Sequence, residues 1–228
     1  MNYDFSLVLP VQNQADIISL VSNQIVKILK TARINYQLVM VENGSKDKTL
    51  SVLKQLARKN NRIKIITSLP GYGRAVIQGL KNSNGKYIGY MPSDGQCDAF
   101  VLPKVFEAMQ NKSVDLVKVY RTSRESLIRK YVSRVFNWLA NICFNLKARD
   151  INASPTIFAA RNLKQLKLES PDSFLDTELL IKAKKLNWRI VSLPMKNFNR
   201  IGGRSTVKPA IVLEFLKNMI QGRFGDKL

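Results

Sequence analysis

There is no histidine anywhere in the 228 residues, and that absence removes whole classes of chemistry. Ser-His and Cys-His nucleophilic catalysis is excluded, as is every metal site built on imidazole. Cysteine is nearly as scarce. Cys97 and Cys143 show no ligand-like spacing, so neither a thiolate metal site nor a structural disulfide is expected. No apolar run is long enough to span a bilayer, and the chain enters a strand at once with no signal-peptide pattern, which gives the expectation of a cytoplasmic protein. Repeats and low-complexity linkers are absent, so one continuous domain is expected. Acid is in short supply too: 16 Asp and Glu against 37 Lys and Arg leave a formal net charge of +21. Residues 1–100 carry 13 basic and 6 acidic groups, and residues 101–228 carry 24 and 10. Such a balance reflects either a lysine-rich background or a surface for phosphorylated substrates, anionic lipid or nucleic acid. Nucleic acid is not the expected partner, because no nucleic-acid-binding motif is present.

What is present is a globular composition, 45% hydrophobic and 23% charged. Strands are predicted over 5–10, 36–41, 63–66 and 86–91, separated by helices over 16–32, 47–60 and 72–83. In the first helix Ile17, Leu20, Val21, Ile25 and Ile28 form one stripe. This alternation predicts an α/β fold: a Rossmann-like, mostly parallel sheet with helices on both faces, in a single domain. Beyond residue 100 a helix over 101–110 precedes a strand over 115–120, a basic segment over 121–134 and a helix over 129–147. The last helix has Val132, Val135, Phe136, Leu139 and Ile142 on one side and Tyr131, Trp138 and Phe144 on its flank. It is expected either to pack on the core or to lie on a membrane surface. Residues 1–208 are read as the domain. Residues 209–228 are read as an amphipathic C-terminal helix, docked on the domain or resting on the membrane.

The chemistry sits at the ends of the predicted strands. Strand one runs into Pro10-Val11-Gln12-Asn13-Gln14, and strand two into Glu42-Asn43-Gly44-Ser45-Lys46-Asp47. The turn before the third helix is Gly71-Tyr72-Gly73-Arg74, and strand four ends in Pro92-Ser93-Asp94-Gly95-Gln96-Cys97-Asp98. In an open α/β sheet these ends share one crevice, the usual place for a ligand. Asp94 and Gln96 offer hard oxygen donors suited to Mg²⁺ or Mn²⁺. The glycine turn is neither a P-loop nor a dinucleotide fingerprint.

Taken in order, Pro-x-x-Asn, Glu-Asn-Gly-Ser-x-Asp, Gly-x-Gly-x-Ala and Asp-Gly-Gln-x-Asp closely resemble the family 2 glycosyltransferases of GT-A fold. Lys118-Val119-Tyr120-Arg121-Thr122-Ser123-Arg124, the Asp150-Ile151-Asn152 segment, Phe174-Leu175-Asp176-Thr177-Glu178 and Arg200-Ile201-Gly202-Gly203-Arg204-Ser205 are similar to the dolichol- or polyprenyl-phosphate sugar transferase branch. The resemblance implies an inverting hexosyltransferase that moves a sugar from a nucleotide sugar to a polyprenyl phosphate or a cell-envelope glycan precursor. It further implies a divalent cation and contact with the inner membrane face. Asp94 and Gln96 would hold the metal. Pro10, Asn13, Glu42, Asn43, Ser45, Gly71, Gly73, Arg74 and Asp94 would bind the nucleotide sugar. Lys118, Arg121, Arg124, Arg200, Arg204 and Ser205 would bind acceptor or phosphate, with Asp94, Asp176, Arg121 and Arg204 as the catalytic set. Four positions depart from the family pattern. Pro92 stands for the first acid of Asp-x-Asp, Gln14 for the acid after Pro-x-x-Asn, Asn43 for an Asp before Gly-Ser, and Thr156 for a lysine. Weaker metal binding follows from the loss at 92, and a nucleotide-sugar-binding homologue with little or no catalysis is the alternative this leaves open, with a basic nucleic-acid-binding protein as the rival from another class.

Overall fold

The computed structural model describes residues 3–122, 127–196 and 198, with backbone alone for 127–132. Strands β1 (Tyr3–Val11), β2 (Tyr36–Glu42), β3 (Ile63–Thr67) and β4 (Gly85–Tyr90) alternate with helices α1 (Ile18–Thr31), α2 (Thr49–Lys59) and α3 (Tyr72–Lys81). Then follow α4 (Leu102–Met109), β5 (Leu116–Arg121), α5 (Leu127–Phe144), β6 (Thr156–Ala159), α6 (Leu163–Leu166), α7 (Leu175–Lys185) and β7 (Ile190–Met195). The sheet order is β3-β2-β1-β4-β6-β5-β7. All pairings are parallel except those of β6, which runs antiparallel to both β4 and β5.

Period-two alternation feeds two cores. Leu7, Leu9, Leu38 and Met40 face α1, α2 and α4, while Val8, Val39, Val41 and Ile88 face α3 and α7. Both faces of the sheet are therefore covered, as a parallel sheet requires. Proline-10 does not stop β1, which continues through Val11. The β1–β4 ladder ends at the pairing of Val8 with Tyr90, so the N–H that Pro10 lacks has no ladder partner to lose. In its place the buried Ser93 hydroxyl meets the Pro10 carbonyl at 2.6 Å.

Helix α5 packs on the core along one side and leaves an apolar stripe exposed along the other. Ala140 is buried and Phe136, Leu139 and Phe144 pack on the core, while Val135, Trp138 and Ile142 are exposed on the opposite side. Asn137 and Asn141 tie the helix to the next loop, with Asn137 Oδ1 accepting from Ile151 N–H and Asn141 Oδ1 from Ala148 N–H. Among the described residues no helix is long and apolar enough to cross a membrane. The helix expected over 209–228 lies outside the described residues.

Candidate active site

The strand order reverses at β1, whose neighbours are β2 and β4, and the crevice at the carboxyl ends of these strands gathers the sequence motifs. Asn13 takes φ 51°, a left-handed conformation that asparagine tolerates. Its N–H donates to Ser45 Oγ at 3.0 Å and its side-chain oxygen accepts from Lys46 N–H at 2.7 Å. The buried Glu42 carboxylate accepts from Ser45 N–H. Asp47 clasps the same two loops, accepting from Thr49 N–H at 3.0 Å and Ala15 N–H at 3.2 Å. Burial pushes the Asp47 carboxyl up, but the Thr49 hydroxyl and these amides outweigh it and hold the group below its ordinary value. Asn43 Oδ1 reaches across to accept from Gly71 N–H at 3.0 Å. Asn13, Glu42 and Ser45 thus form one hydrogen-bonded rim, with Asn43 tied to Gly71 and Pro10 to Ser93 at its edges.

The glycines of the third motif answer to packing. Gly71 has φ 137°, and a Cβ there would run into the Pro171 carbonyl oxygen, while a Cβ on Gly73 would collide with that of Ser170. Arg74 N–H donates to the Pro171 carbonyl at 3.2 Å, so the 170–172 loop closes the start of α3. Glu178 fixes that loop, accepting from Glu169 and Ser170 N–H at 2.9 and 2.8 Å and pairing with Lys182 at 2.6 Å. The Arg74 guanidinium donates to the Pro70 carbonyl at the exposed rim.

At the end of β4, Asp94 accepts from Gln96 N–H at 3.1 Å across Gly95, which has φ 75°. Two of the family departures meet here, since Gln14 Oε1 lies 2.6 Å from Ser93 Oγ, the middle of Pro92-Ser93-Asp94. Asp94 shares its electrostatic surroundings at Cys97 and Tyr72 with a buried polar cluster. Tyr90 donates its hydroxyl to Asp176 Oδ1 at 2.7 Å. Lys118 Nζ donates to the carbonyls of Ile151 and Ala153 at 2.8 and 2.7 Å. Asp150 grips Arg121 bidentately, with Nε and Nη2 donating at 2.8 Å each. Burial pushes the Cys97 thiol up to about 12, and the charge of Asp94 adds to it. Burial likewise raises Tyr72 well above its ordinary value, with Asp176 and Asp94 among the charges adding to it.

The family model described as glycosyl transferase family 2 matches residues 6–165. The chain belongs to that family. Two related proteins are uncharacterized glycosyltransferases of Mycobacterium bovis and Mycobacterium tuberculosis, each 29% identical over 201 residues, covering 83% of this chain and 89% of the relative. Among solved structures, glucosyl-3-phosphoglycerate synthase from M. tuberculosis with Mn²⁺ and UDP-glucose superposes with a TM-score of 0.72 at 16% identity, covering 97% of this chain and 79% of that one. Its complex that also holds phosphoglyceric acid gives a TM-score of 0.73 at 15% identity, again over 97% and 79%. These likenesses show the GT-A fold, so this chain is a GT-A glycosyltransferase of family 2.

The family's use of a divalent cation can be tested against the residues present. Among the described residues no three of His, Cys, Asp and Glu gather as a ligand group. Asp98, the nearest acid in sequence, caps the following turn by accepting from Phe100 N–H at 3.0 Å. One carboxylate with an amide oxygen nearby still fits Mg²⁺ or Mn²⁺, which are commonly held by one or two carboxylates plus substrate phosphates. Asp94 and Gln96 are the residues that would hold it.

Asp176 and Glu178 sit in the first turn of α7, and the helix sends them apart, Asp176 to Tyr90 and Glu178 to the 169–170 loop. Burial raises Asp176 above the usual carboxyl value, although Lys118 and the Tyr90 hydroxyl act in the opposite direction. The folded state therefore holds the proton more tightly than the unfolded chain. The stability this gives is full below the ordinary carboxyl range and is lost as pH rises through the folded value. Asp176→Asn, which cannot ionise, is expected to gain stability relative to the native protein as pH rises above the ordinary carboxyl range. Urea unfolding at several pH values checks this, and parallel curves for the two proteins would refute it.

Arg124, Arg200, Arg204 and Ser205 lie outside the described residues. The charges of Lys118, Arg121 and Asp176 act on one another, Asp94 and Asp176 both act on Cys97 and Tyr72, and the rim of Asn13, Glu42 and Ser45, the candidate donor rim, stands at the ends of β1 and β2. Sequence reasoning assigned no role to Tyr72, Tyr90, Ser93 or Asp150. The available signal for Tyr90 was a tyrosine in an otherwise buried strand, whose hydroxyl needs a partner.

Proposed function

We propose that the protein is an inverting transferase that moves a hexosyl group from a nucleoside-diphosphate sugar to a polyprenyl phosphate at a membrane surface. The observation that carries the lipid acceptor is α5. It follows β5 and Arg121 directly, contains no acidic residue, and presents Val135, Trp138 and Ile142 outward beside exposed Arg134. An outward apolar stripe with cationic flanks and an aromatic belt residue suits an anionic bilayer interface.

The chemistry agrees. A phosphate acceptor is ionised at neutral pH and needs no strong general base, consistent with a chain that has no histidine. Its oxygen attacks the anomeric carbon from the face opposite the nucleotide. The bond from that carbon to the β-phosphate oxygen breaks, and the nucleoside diphosphate leaves with the electron pair. A bound divalent cation supplies charge stabilisation to the diphosphate. In this reading Glu42 and Asn43, at the end of β2, contact the nucleoside, and Arg121, its fork held by Asp150, meets the developing phosphate charge.

The test is an assay with a panel of labelled nucleotide sugars and polyprenyl phosphate in anionic vesicles, with Mn²⁺. Label extracted into organic solvent is the expected result, reduced about tenfold or more in Trp138→Asp, with nucleotide-induced thermal stabilisation intact. Label found only on a water-soluble glycan acceptor would overturn the lipid assignment. Donor binding without transfer to any acceptor would mark a binding protein.

A further inference from the structure

A cavity of about 520 Å³ opens beside β7, and no residue of the donor rim lines it. Strands β5 and β7 contribute Lys118, Ile190 and Ser192, α7 contributes Leu180 and Lys184, and the 145–150 loop with Trp188 completes it. Its size falls within the range of small-molecule sites.

Two observations separate it from a surface dimple. The first is charge. Lys118, Lys147, Arg149 and Lys184 line it against a single carboxylate, Asp150, which already grips Arg121. Lys118 and Lys184 spend their ammonium groups on carbonyls, the latter on Phe144 and Asn145 at 3.2 and 2.8 Å. Lys147 and Arg149 are exposed on the loop, Arg149 with its guanidinium 5.0 Å from the Tyr120 ring centroid. Concentrated positive charge in a concave site with apolar walls focuses the field on an anion. The second is its rim. Asn145 and Asn187, just past the ends of α5 and α7, take the left-handed conformation that commonly ends a helix (φ 52° and 55°), and Lys147, a residue that seldom adopts it, has φ 55°; all three line this cavity.

We propose that this cavity is a second anion site, sharing Lys118 and Asp150 with the buried cluster, that takes a small organic phosphate, its phosphate at Lys147 and Arg149 and its body against Leu146, Leu180 and Trp188. The proposal stands whatever the acceptor of the transfer reaction is. Its occupancy would bear on Asp150, which lines the cavity on one side and anchors Arg121 on the other.

The chain has two tryptophans, so Trp138→Phe leaves Trp188 as the sole indole reporter. Phenyl phosphate titrated into that variant at constant ionic strength is expected to change Trp188 emission saturably. Adding Lys147→Glu and Arg149→Glu should weaken the response by about tenfold or more, and Asp94→Asn should leave it within about twofold. If the charge reversals unfold the protein by circular dichroism, Lys147→Gln with Arg149→Gln replaces them with the same expectation. No saturable change up to about 10 mM, a response indifferent to the loop cations, or one lost in Asp94→Asn would each overturn the proposal, the last by placing the probe in the donor crevice.

Discussion

Asp94→Asn is expected to slow sugar transfer by about a thousandfold while leaving the melting temperature of the ligand-free protein unchanged. The fold should not notice the change, because an asparagine oxygen can still accept from Gln96 N–H as the aspartate does at 3.1 Å. What is lost is the negative charge at the end of β4. Pro92 occupies the place of the other family acid, and Asp98, the next acid along, is engaged in capping the following turn. A divalent cation on the leaving diphosphate is worth several kcal/mol in the transition state, and about 4 kcal/mol corresponds to three decades in rate. Nucleoside diphosphate release measures the rate. Thermal shift with UDP and other nucleotides, with and without Mn²⁺, measures binding, and the metal-dependent part of the shift should vanish in the variant. Activity within about tenfold of native would mean that Asp94 does not carry the metal and that basic side chains alone neutralise the diphosphate.

The left half of the sheet was legible because each of its units repeats one pattern. A buried apolar run, a polar strand end and a 3.6-period helix recur through residue 90, and their order forces parallel pairing. The right half obeys no such rhythm. Strand β6 is four residues long and antiparallel, inserted between β4 and β5, and its Thr156–Ala159 run sits inside a stretch that reads as a motif instead of an element. Strand β7 carries Pro194 and is half-exposed along most of its length, the mark of an edge and a weak sequence signal. Helix α7 could not be told from an extended segment by Asp176 and Glu178 alone, since both acids end up buried and each finds a different partner.

The candidate site divides in the same way. Asn13, Glu42, Asn43 and Ser45 lie at strand ends that the topology fixes, so their convergence follows from the fold class. The partners that set the buried cluster do not. Asp150 meets Arg121 across 29 residues and Tyr90 meets Asp176 across 86, and nothing local encodes either pairing. Gly71 and Gly73 carry a second meaning that spacing cannot show. The resemblance implies a turn that binds the nucleotide sugar, and the carbonyls of Ser170 and Pro171 by themselves also demand the missing Cβ atoms. A glycine pair reports close approach without saying what approaches.

The Asp150–Arg121 pair is where removal of one side chain should cost the fold most. Asp150 is 6% exposed and Arg121 20%, so truncating the acid strands a largely buried guanidinium. Breaking such a pair typically costs about 3 kcal/mol or more, which for a chain of this size lowers the melting temperature by roughly 10 °C. Asp150→Ala also frees the Arg121 backbone N–H, 3.3 Å from the same carboxylate, and loosens the segment whose Ile151 and Ala153 carbonyls hold Lys118. Arg121→Ala should cost about as much, because Asp150, the more deeply buried of the two, loses its charged partner and keeps the Arg121 backbone amide. The double variant should be more stable than the sum of the two single losses predicts, the mark of direct coupling. Arg121→Lys separates structure from catalysis. It keeps the charge beside Asp150 but loses the two-pronged grip, so transfer should fall about tenfold or more while the melting temperature drops only slightly. Calorimetry and rates on the four proteins decide the matter: additive losses in stability would show that the pair acts as two independent surface charges, and native activity in Arg121→Lys would remove the guanidinium from the reaction.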